Sequence, residues 1–195
     1  MLVAVSQRVD AYPERGETRD ALDQRLALFI AVNGGLAVPV PNALAAGARL
    51  APWLDVVQPG ALVLSGGNDI GQCAQRDATE SHLLEYARTR SLPVLGICRG
   101  MQMMGVWAGA TLKPLSGHVG TRHRLGGEIG GAANSYHNYG LADCPPGFAV
   151  LARSEDGEIE AIRHCELPWE GWMWHPEREP QFAPRDCERL QALLA

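Results

Sequence analysis

The chain has 195 residues, of which 46% are hydrophobic and 20% charged, and these values favour one globular domain over residues 1–195. The formal net charge is −5 and no run of like charges occurs, which argues against proteins that bind nucleic acids or acidic membranes. We therefore expect the partner to be a small molecule or another protein.

The cysteines and the first residues of the chain indicate its compartment. Five cysteines form no C-x-x-C pair, which argues against both a disulfide framework and a zinc ribbon. The opening "MLVAVSQRVD" lacks the basic start and long apolar run of a signal peptide, and no apolar stretch reaches the length of a membrane span. The sequence predicts a soluble, cytoplasmic protein with reduced thiols.

The first half of the chain alternates short apolar runs with amphipathic segments. Helices are predicted before Gly34 and over 76–90. Continuous apolar runs are typical of strands that are buried on both faces, so we expect an α/β fold in which helices cover both sides of an open parallel sheet. The predicted strands are 2–6, 36–40, 61–67 and 93–97.

The second half shows a different pattern. Shorter strands, at 148–153, 157–163 and 170–174, are separated by Gly, Pro and Asp turns, which predicts an antiparallel extension of the same sheet. A final helix is predicted from about Pro184. The glycine-rich stretch 115–133 is predicted as a loop.

The segment "GICRGMQ", residues 96–102, places a cysteine between two glycines directly after a predicted strand. A strained nucleophile on a strand-to-helix bend needs small residues two positions before and after it. Cys98 at a helix N-terminus beside Arg99 would be favoured as the thiolate. The alternative is a cysteine that packs in the core as a small hydrophobe.

Two other segments follow predicted strands and should face the same crevice, because reactive groups in an open parallel sheet lie beyond the carboxyl ends of its strands. In "HPE", His175 would be the base and Glu177 would orient its imidazole. In "SGGND", the backbone N–H of Gly67 would form an oxyanion hole with that of Arg99. Taken singly, "HPE" could be a turn and "SGG" a tight loop.

These motifs resemble those of a known superfamily. "LSGGNDI", "RDATE", "PVLGICRGMQ", "NSYHN" and "WHPE" occur in the order found in class I glutamine amidotransferases, and within them in the γ-glutamyl-γ-aminobutyrate hydrolase-like (C26 peptidase) family. The resemblance implies a flavodoxin-like fold and a Cys98, His175 and Glu177 triad. It also implies that Gln102 and the segment Asn134, Ser135, Tyr136 and His137 hold the α-amino and α-carboxylate groups of a γ-glutamyl substrate.

The expected reaction is hydrolysis of a γ-glutamyl amide through a γ-glutamyl thioester, without a cofactor. The opening "AVSQRVD" and the compact loop resemble the γ-glutamyl-CDP-amidate hydrolases of bacterial capsule phosphoramidate biosynthesis. In that case Arg122 and Arg124 would bind the diphosphate, although they could also form a solvated loop face. The alternatives are a γ-glutamyl-γ-aminobutyrate hydrolase, a glutaminase subunit that delivers ammonia to a synthase, and a binding module without activity.

Two further groups of residues suggest sites. The spacing of His118 and His123 matches no zinc pattern, so we expect a substrate-loop role and no metal. Trp169, Trp172 and Trp174 could stack a nucleobase, but around a strand they more often pack in the core.

Overall fold

The computed structural model describes residues 1–46 and 48–195 completely and residue 47 by its backbone alone. The strands are β1 (Leu2–Val5), β2 (Arg8–Tyr12), β3 (Glu17–Ala21), β4 (Leu36–Pro39), β5 (Ala61–Leu64), β6 (Val94–Ile97), β7 (Leu112–Pro114), β8 (Val119–Gly127), β9 (Gly131–Tyr136), β10 (Tyr139–Leu141), β11 (Phe148–Arg153), β12 (Ile159–His164) and β13 (Trp169–Trp172). The α-helices are α1 (Gln24–Val32), α2 (Leu50–Val57), α3 (Ala74–Arg90), α4 (Arg99–Trp107) and α5 (Pro184–Leu194).

A nine-stranded sheet in the order β4-β1-β5-β6-β13-β12-β11-β8-β9 forms the centre of the fold. From β4 to β13 the neighbouring strands are parallel. From β13 to β9 they are antiparallel. The predicted α/β architecture, a parallel sheet with an antiparallel extension, is therefore confirmed.

Helices pack on both faces of this sheet because its central strands are apolar throughout. Every residue of β5 and β6 is buried. Residues of α1 and α5 share one apolar core with Val3 and Val5, while residues of α2, α3 and α4 share the other with Ala4. The alternation along β1 sends neighbouring side chains to opposite faces, as a strand requires. Trp169, Trp172 and Trp174 are buried in these two cores, which confirms the packing interpretation of the three indoles.

Several elements differ from the sequence prediction. The predicted loop 115–133 is largely the paired strand β8 and the start of β9, which lie at one end of the sheet. Most of β8 is exposed, so it lacks the apolar signal of a buried strand. A hairpin of β2 and β3 was not predicted, and neither was α2.

The topology places the predicted site segments together. Strands β5, β6 and β13 are parallel neighbours, so the chain leaves all three at the same edge of the sheet. Ser65 to Gly67 follow β5, Cys98 follows β6, and His175 lies just beyond β13. Within the described residues, no helix is long and apolar enough to cross a membrane.

Candidate active site

Cys98 lies on a sharp bend between β6 and α4. Its φ of 51° and ψ of −106° are unusual for a residue with a side chain, and its N–H donates a hydrogen bond to the Trp172 carbonyl at 2.7 Å. A Cβ atom on Gly96 would lie 2.7 Å from the backbone of Gly100, and one on Gly100 would overlap the backbone oxygen of Leu64. The bend therefore requires both glycines, as predicted.

His175 and Glu177 form a buried pair beside this bend. His175 is extended, as expected before a proline, while Glu177 lies in the 3-10 turn Pro176–Arg178. The distance between His175 Nδ1 and Glu177 Oε1 is 2.6 Å. A Cβ atom on Gly66 would lie 2.5 Å from His175 Cε1, so the imidazole packs directly against the glycine loop.

The environment of His175 favours its protonated form. Burial lowers the pKa of His175, but hydrogen bonds to the Cys98 side chain and to Glu177 outweigh burial and raise that pKa to about 9. The imidazole therefore carries a proton at neutral pH. Cys98 and His175 line the same cavity.

Asn134 in β9 holds the backbone of His175. Its Oδ1 accepts the His175 N–H at 2.9 Å, and its Nδ2 donates to the His175 carbonyl at 2.8 Å. The same Nδ2 donates to Glu179 at 2.8 Å. Asn134 thus positions the imidazole, a different contact from the γ-glutamyl contact that the resemblance implied.

A buried ionic network, which the sequence analysis missed, lies beneath the glycine loop. Glu80 of α3 accepts hydrogen bonds from Ser6 at 2.8 Å, from Arg76 at 3.1 Å, and from Arg99. Arg76 also donates to the carbonyls of Ser65 at 2.6 Å and Gly66 at 2.9 Å. The network joins the loop after β5 to the start of α4. The available signal was an Arg and a Glu four residues apart on a helix face that is otherwise apolar.

Two adjoining cavities meet at His175. One, of about 100 Å³, contains Cys98, Arg99 and Gln102 in its lining. The other, of about 280 Å³, is lined in part by Arg8 and Glu177. Their linings share Gly67, His175 and Arg178.

The other predicted site residues divide into two groups. Gln102, Tyr136 and His137 line the smaller cavity. Ser135 is buried and donates a hydrogen bond to the His118 carbonyl at 2.6 Å, and it does not line this cavity. Both imidazole nitrogens of His137 also face protein groups, since Nδ1 lies 3.0 Å from the Tyr139 carbonyl and Nε2 lies 3.6 Å from Glu160.

Arg122 and Arg124 of β8 do not line either of the two cavities. Arg122 is paired with Glu179 at 2.9 Å, and Arg124 borders a separate depression with Arg153. Arg178, which the sequence analysis did not single out, lines both cavities. Its guanidinium stacks on the Tyr136 ring, 4.6 Å from the ring centroid.

The backbone donors expected at an oxyanion hole are present at the smaller cavity. Gly67 has a φ of 87°, which suits a glycine, and both Gly67 and Arg99 line this cavity. Among the described residues, neither backbone N–H has a hydrogen-bond acceptor. Two free N–H groups near a buried thiol are the arrangement that acyl transfer uses to bind a developing oxyanion.

This geometry agrees with comparisons to known proteins. Residues 41–189 match the family model for glutamine amidotransferase class-I. The chain belongs to this family. It is 32% identical over 125 residues to the γ-glutamyl-CDP-amidate hydrolase of Campylobacter jejuni, covering 61% of this chain and 62% of that protein. It is 37% identical over 139 residues to a glutamine-hydrolysing GMP synthase subunit of Methanothrix thermoacetophila, covering 65% of this chain and 71% of that protein.

A solved structure shows the same fold. A glutamine amidotransferase from Thermotoga maritima superposes with a TM-score of 0.64 at 14% identity, covering 99% of this chain and 94% of that chain. The matched region spans less than two thirds of the Campylobacter hydrolase.

Proposed function

We propose that this class I glutamine amidotransferase is a cysteine-dependent hydrolase of a γ-glutamyl amide. The observation that carries the proposal is the strained Cys98 beside the buried His175 and Glu177 pair, at a cavity with two free backbone N–H groups. This combination suits acyl transfer by a nucleophile with an oriented acid and base.

In the proposed mechanism, the Cys98 proton passes to His175, and the sulfur then attacks the γ-carbonyl carbon. The Gly67 and Arg99 N–H groups bind the oxyanion, and His175 donates its proton to the departing nitrogen. The C–N bond breaks and a γ-glutamyl thioester remains on Cys98. His175 then takes a proton from water, which attacks the thioester and releases glutamate. Glu177 orients the imidazole in both steps, and no cofactor takes part.

The two cavities suggest that the glutamyl group and the leaving group of the substrate bind in different places. A volume of about 100 Å³ suits a glutamyl group and is too small for a nucleotide. The adjoining cavity of about 280 Å³ shares His175, the proposed proton donor, with the smaller cavity. The leaving group would therefore enter the larger cavity.

The proposed leaving group is an anionic phosphoramidate, such as CDP-amidate in capsule phosphoramidate biosynthesis. Arg8 and Arg178 line the larger cavity and could bind phosphate by charge-assisted hydrogen bonds. Arg8 is paired with Asp10 at 2.8 Å, whereas the carboxylate of Glu177 lies 3.9 Å from Arg178, so Arg178 would contribute more. The similarity to the Campylobacter hydrolase supports the same substrate class. This proposal replaces the expected contacts of Arg122 and Arg124.

A glutaminase subunit is the second candidate, because the chain is 37% identical to a glutamine-hydrolysing GMP synthase subunit. Such a protein would act on glutamine and pass ammonia to a separate synthase. It differs from the stand-alone hydrolase in needing that partner.

An assay of the purified chain alone separates these candidates. Wild type, Cys98→Ala and a Cys187→Ala control are compared on γ-glutamyl-CDP-amidate, γ-glutamyl-γ-aminobutyrate and glutamine, with glutamate release as the readout. The proposal predicts preference for the nucleotide amide, loss of activity in Cys98→Ala and retention in Cys187→Ala. Activity on glutamine that appears only after a synthase is added would favour the second candidate. Preference for γ-glutamyl-γ-aminobutyrate would refute the proposed phosphoramidate leaving group but not the proposed hydrolysis of γ-glutamyl amides.

A further variant tests the leaving-group contact. Arg178→Ala should lower kcat/KM for γ-glutamyl-CDP-amidate by about 10–150-fold, since a charge-assisted hydrogen bond contributes about 1.5–3 kcal/mol. Activity on an uncharged γ-glutamyl anilide should change little. Arg124→Ala should leave both substrates unaffected. Equal losses on both substrates in Arg178→Ala would show that this residue only supports the fold of the site.

A further inference from the structure

A second cluster of functional side chains lies where β8, β9 and β12 come together. His118 immediately precedes β8, His123 lies in β8, His137 follows β9, and Glu160 lies in β12. One nitrogen from each histidine and one oxygen of Glu160 all lie within 4.8 Å of one another. The side chains of His118, His137 and Glu160 are each 1% exposed. The four residues come from three separate parts of the chain, around positions 118–123, 137 and 160.

The outward contacts of two imidazoles turn their remaining nitrogens toward the centre of the cluster. His118 Nε2 lies 2.9 Å from Asp156 Oδ2, and His137 Nδ1 lies 3.0 Å from the Tyr139 carbonyl. Each of these acceptors requires the proton to be on the nitrogen that faces it. His118 Nδ1 and His137 Nε2 therefore present lone pairs inward. A carboxylate or carbonyl on the outer nitrogen is the usual arrangement around metal-bound histidines.

The inward atoms have no hydrogen-bond partner among the described residues. They are His118 Nδ1, His123 Nε2, His137 Nε2 and Glu160 Oε1. Buried polar atoms without partners are rare. Four that face one another would lower the free energy of unfolding by the contribution of several hydrogen bonds. A cation among them removes this cost.

The spacing favours a metal ion over a shared proton. Glu160 Oε1 lies 3.5 Å from His118 Nδ1 and 3.6 Å from His137 Nε2. Hydrogen bonds of this kind are shorter, at about 2.7–3.2 Å. Tetrahedral zinc with bonds of about 2.0–2.2 Å holds its ligand atoms about 3.3–3.5 Å apart. These two separations are close to the second value.

We propose that His118, His123, His137 and Glu160 form a binding site for a divalent transition-metal ion, with Zn²⁺ as the best match to three imidazoles and one carboxylate. Four protein ligands make this a closed, structural site. The ion joins β9 to β12, and β9 carries Asn134, which holds the backbone of His175. Cys98 is not among the four ligands, although His137 also lines the smaller cavity, and the inference does not depend on the proposed reaction.

Metal content tests the proposal directly. Untagged protein in a Cys98→Ala background, which removes the active-site thiol as a competing ligand, is loaded with Zn²⁺, dialysed and measured by mass spectrometry of the metal. We expect one equivalent. His123→Gln and Glu160→Gln should each lower the affinity for Zn²⁺ at least about 10-fold. His82→Gln, which changes an exposed histidine on α3, should bind Zn²⁺ as the background protein does.

A second measurement needs no change to the cluster. Co²⁺ added to the metal-free background protein should produce the intense visible absorption of tetrahedral coordination, and Zn²⁺ should displace it. Chelation should lower the Tm, and Zn²⁺ should restore it. The proposal is wrong if the background protein retains no Zn²⁺ and shows no tetrahedral Co²⁺ spectrum, or if His123→Gln, Glu160→Gln and His82→Gln bind Zn²⁺ equally.

Discussion

Replacement of Glu177 by glutamine tests how the carboxylate acts on His175. The Glu177 oxygen lies 2.6 Å from His175 Nδ1, and both side chains are buried. Glutamine keeps an oxygen that accepts from Nδ1 but removes the negative charge. A hydrogen bond to a charged group contributes about 1.5–3 kcal/mol, which corresponds to a fall of about 1–2 units in the pKa of His175. From a starting value of about 9, the pKa should then lie near 7–8.

This change has consequences for stability and rate. Because the pKa of His175 is raised above 6.5, its value in the unfolded chain, the associated stability is fully present below pH 6.5 and is lost as pH rises through about 9. The difference in unfolding free energy between wild type and Glu177→Gln should therefore be largest near pH 6 and small above pH 9. The turnover rate kcat should fall by about 10–1,000-fold, because the imidazole loses part of its orientation and charge stabilisation.

Nuclear magnetic resonance titration of the His175 ring gives the pKa, and urea unfolding between pH 6 and pH 9.5 gives the stability. Glu188→Gln serves as the control, since Glu188 is an exposed carboxylate on α5. An unchanged His175 pKa in Glu177→Gln would refute the reasoning about charge. A variant that is unfolded at pH 7 would show that Glu177 is mainly structural.

Three further substitutions test the surroundings of the site. Glu80→Gln should lower the free energy of unfolding by about 3–5 kcal/mol in urea, because it leaves two buried guanidinium groups without their shared carboxylate; a loss below 1 kcal/mol would contradict this. Gly100→Ala should lower the Tm strongly, since the new methyl overlaps the β5 backbone, and a wild-type Tm would refute it. Asn134→Ala should reduce kcat more than it raises KM, and the reverse would indicate substrate contact.

The sequence predicted the parts of the site that depend on local backbone rules. Glycines at 96 and 100 indicated the strained bend at Cys98, and their close backbone contacts confirm the reason. The carboxyl-end rule for parallel strands predicted that Cys98 and His175 would meet. His175 is extended, as residues before proline generally are, and Glu177 reaches its imidazole from a 3-10 turn.

The sequence could not predict contacts that depend on distant pairing. Strand β8 is mostly exposed, so its residues show no apolar alternation, and the stretch resembled a loop. His118, His123, His137 and Glu160 converge only through the pairing of β8 with β9 and the position of β12. For the same reason, a metal at His118 and His123 was not expected from their spacing. Which arginine would contact the leaving group, Arg124 or Arg178, also depends on side-chain placement, and no local sequence pattern encodes that placement.

Trapping the acyl-enzyme tests the central claim most directly. Wild-type protein is mixed with a γ-glutamyl amide, quenched in acid within the first turnover, digested and analysed by mass spectrometry. We expect a glutamyl adduct on the peptide that contains Cys98, and neither adduct nor hydrolysis in Cys98→Ala. Hydrolysis that persists in Cys98→Ala, or turnover by wild type with an adduct on another cysteine, would contradict it.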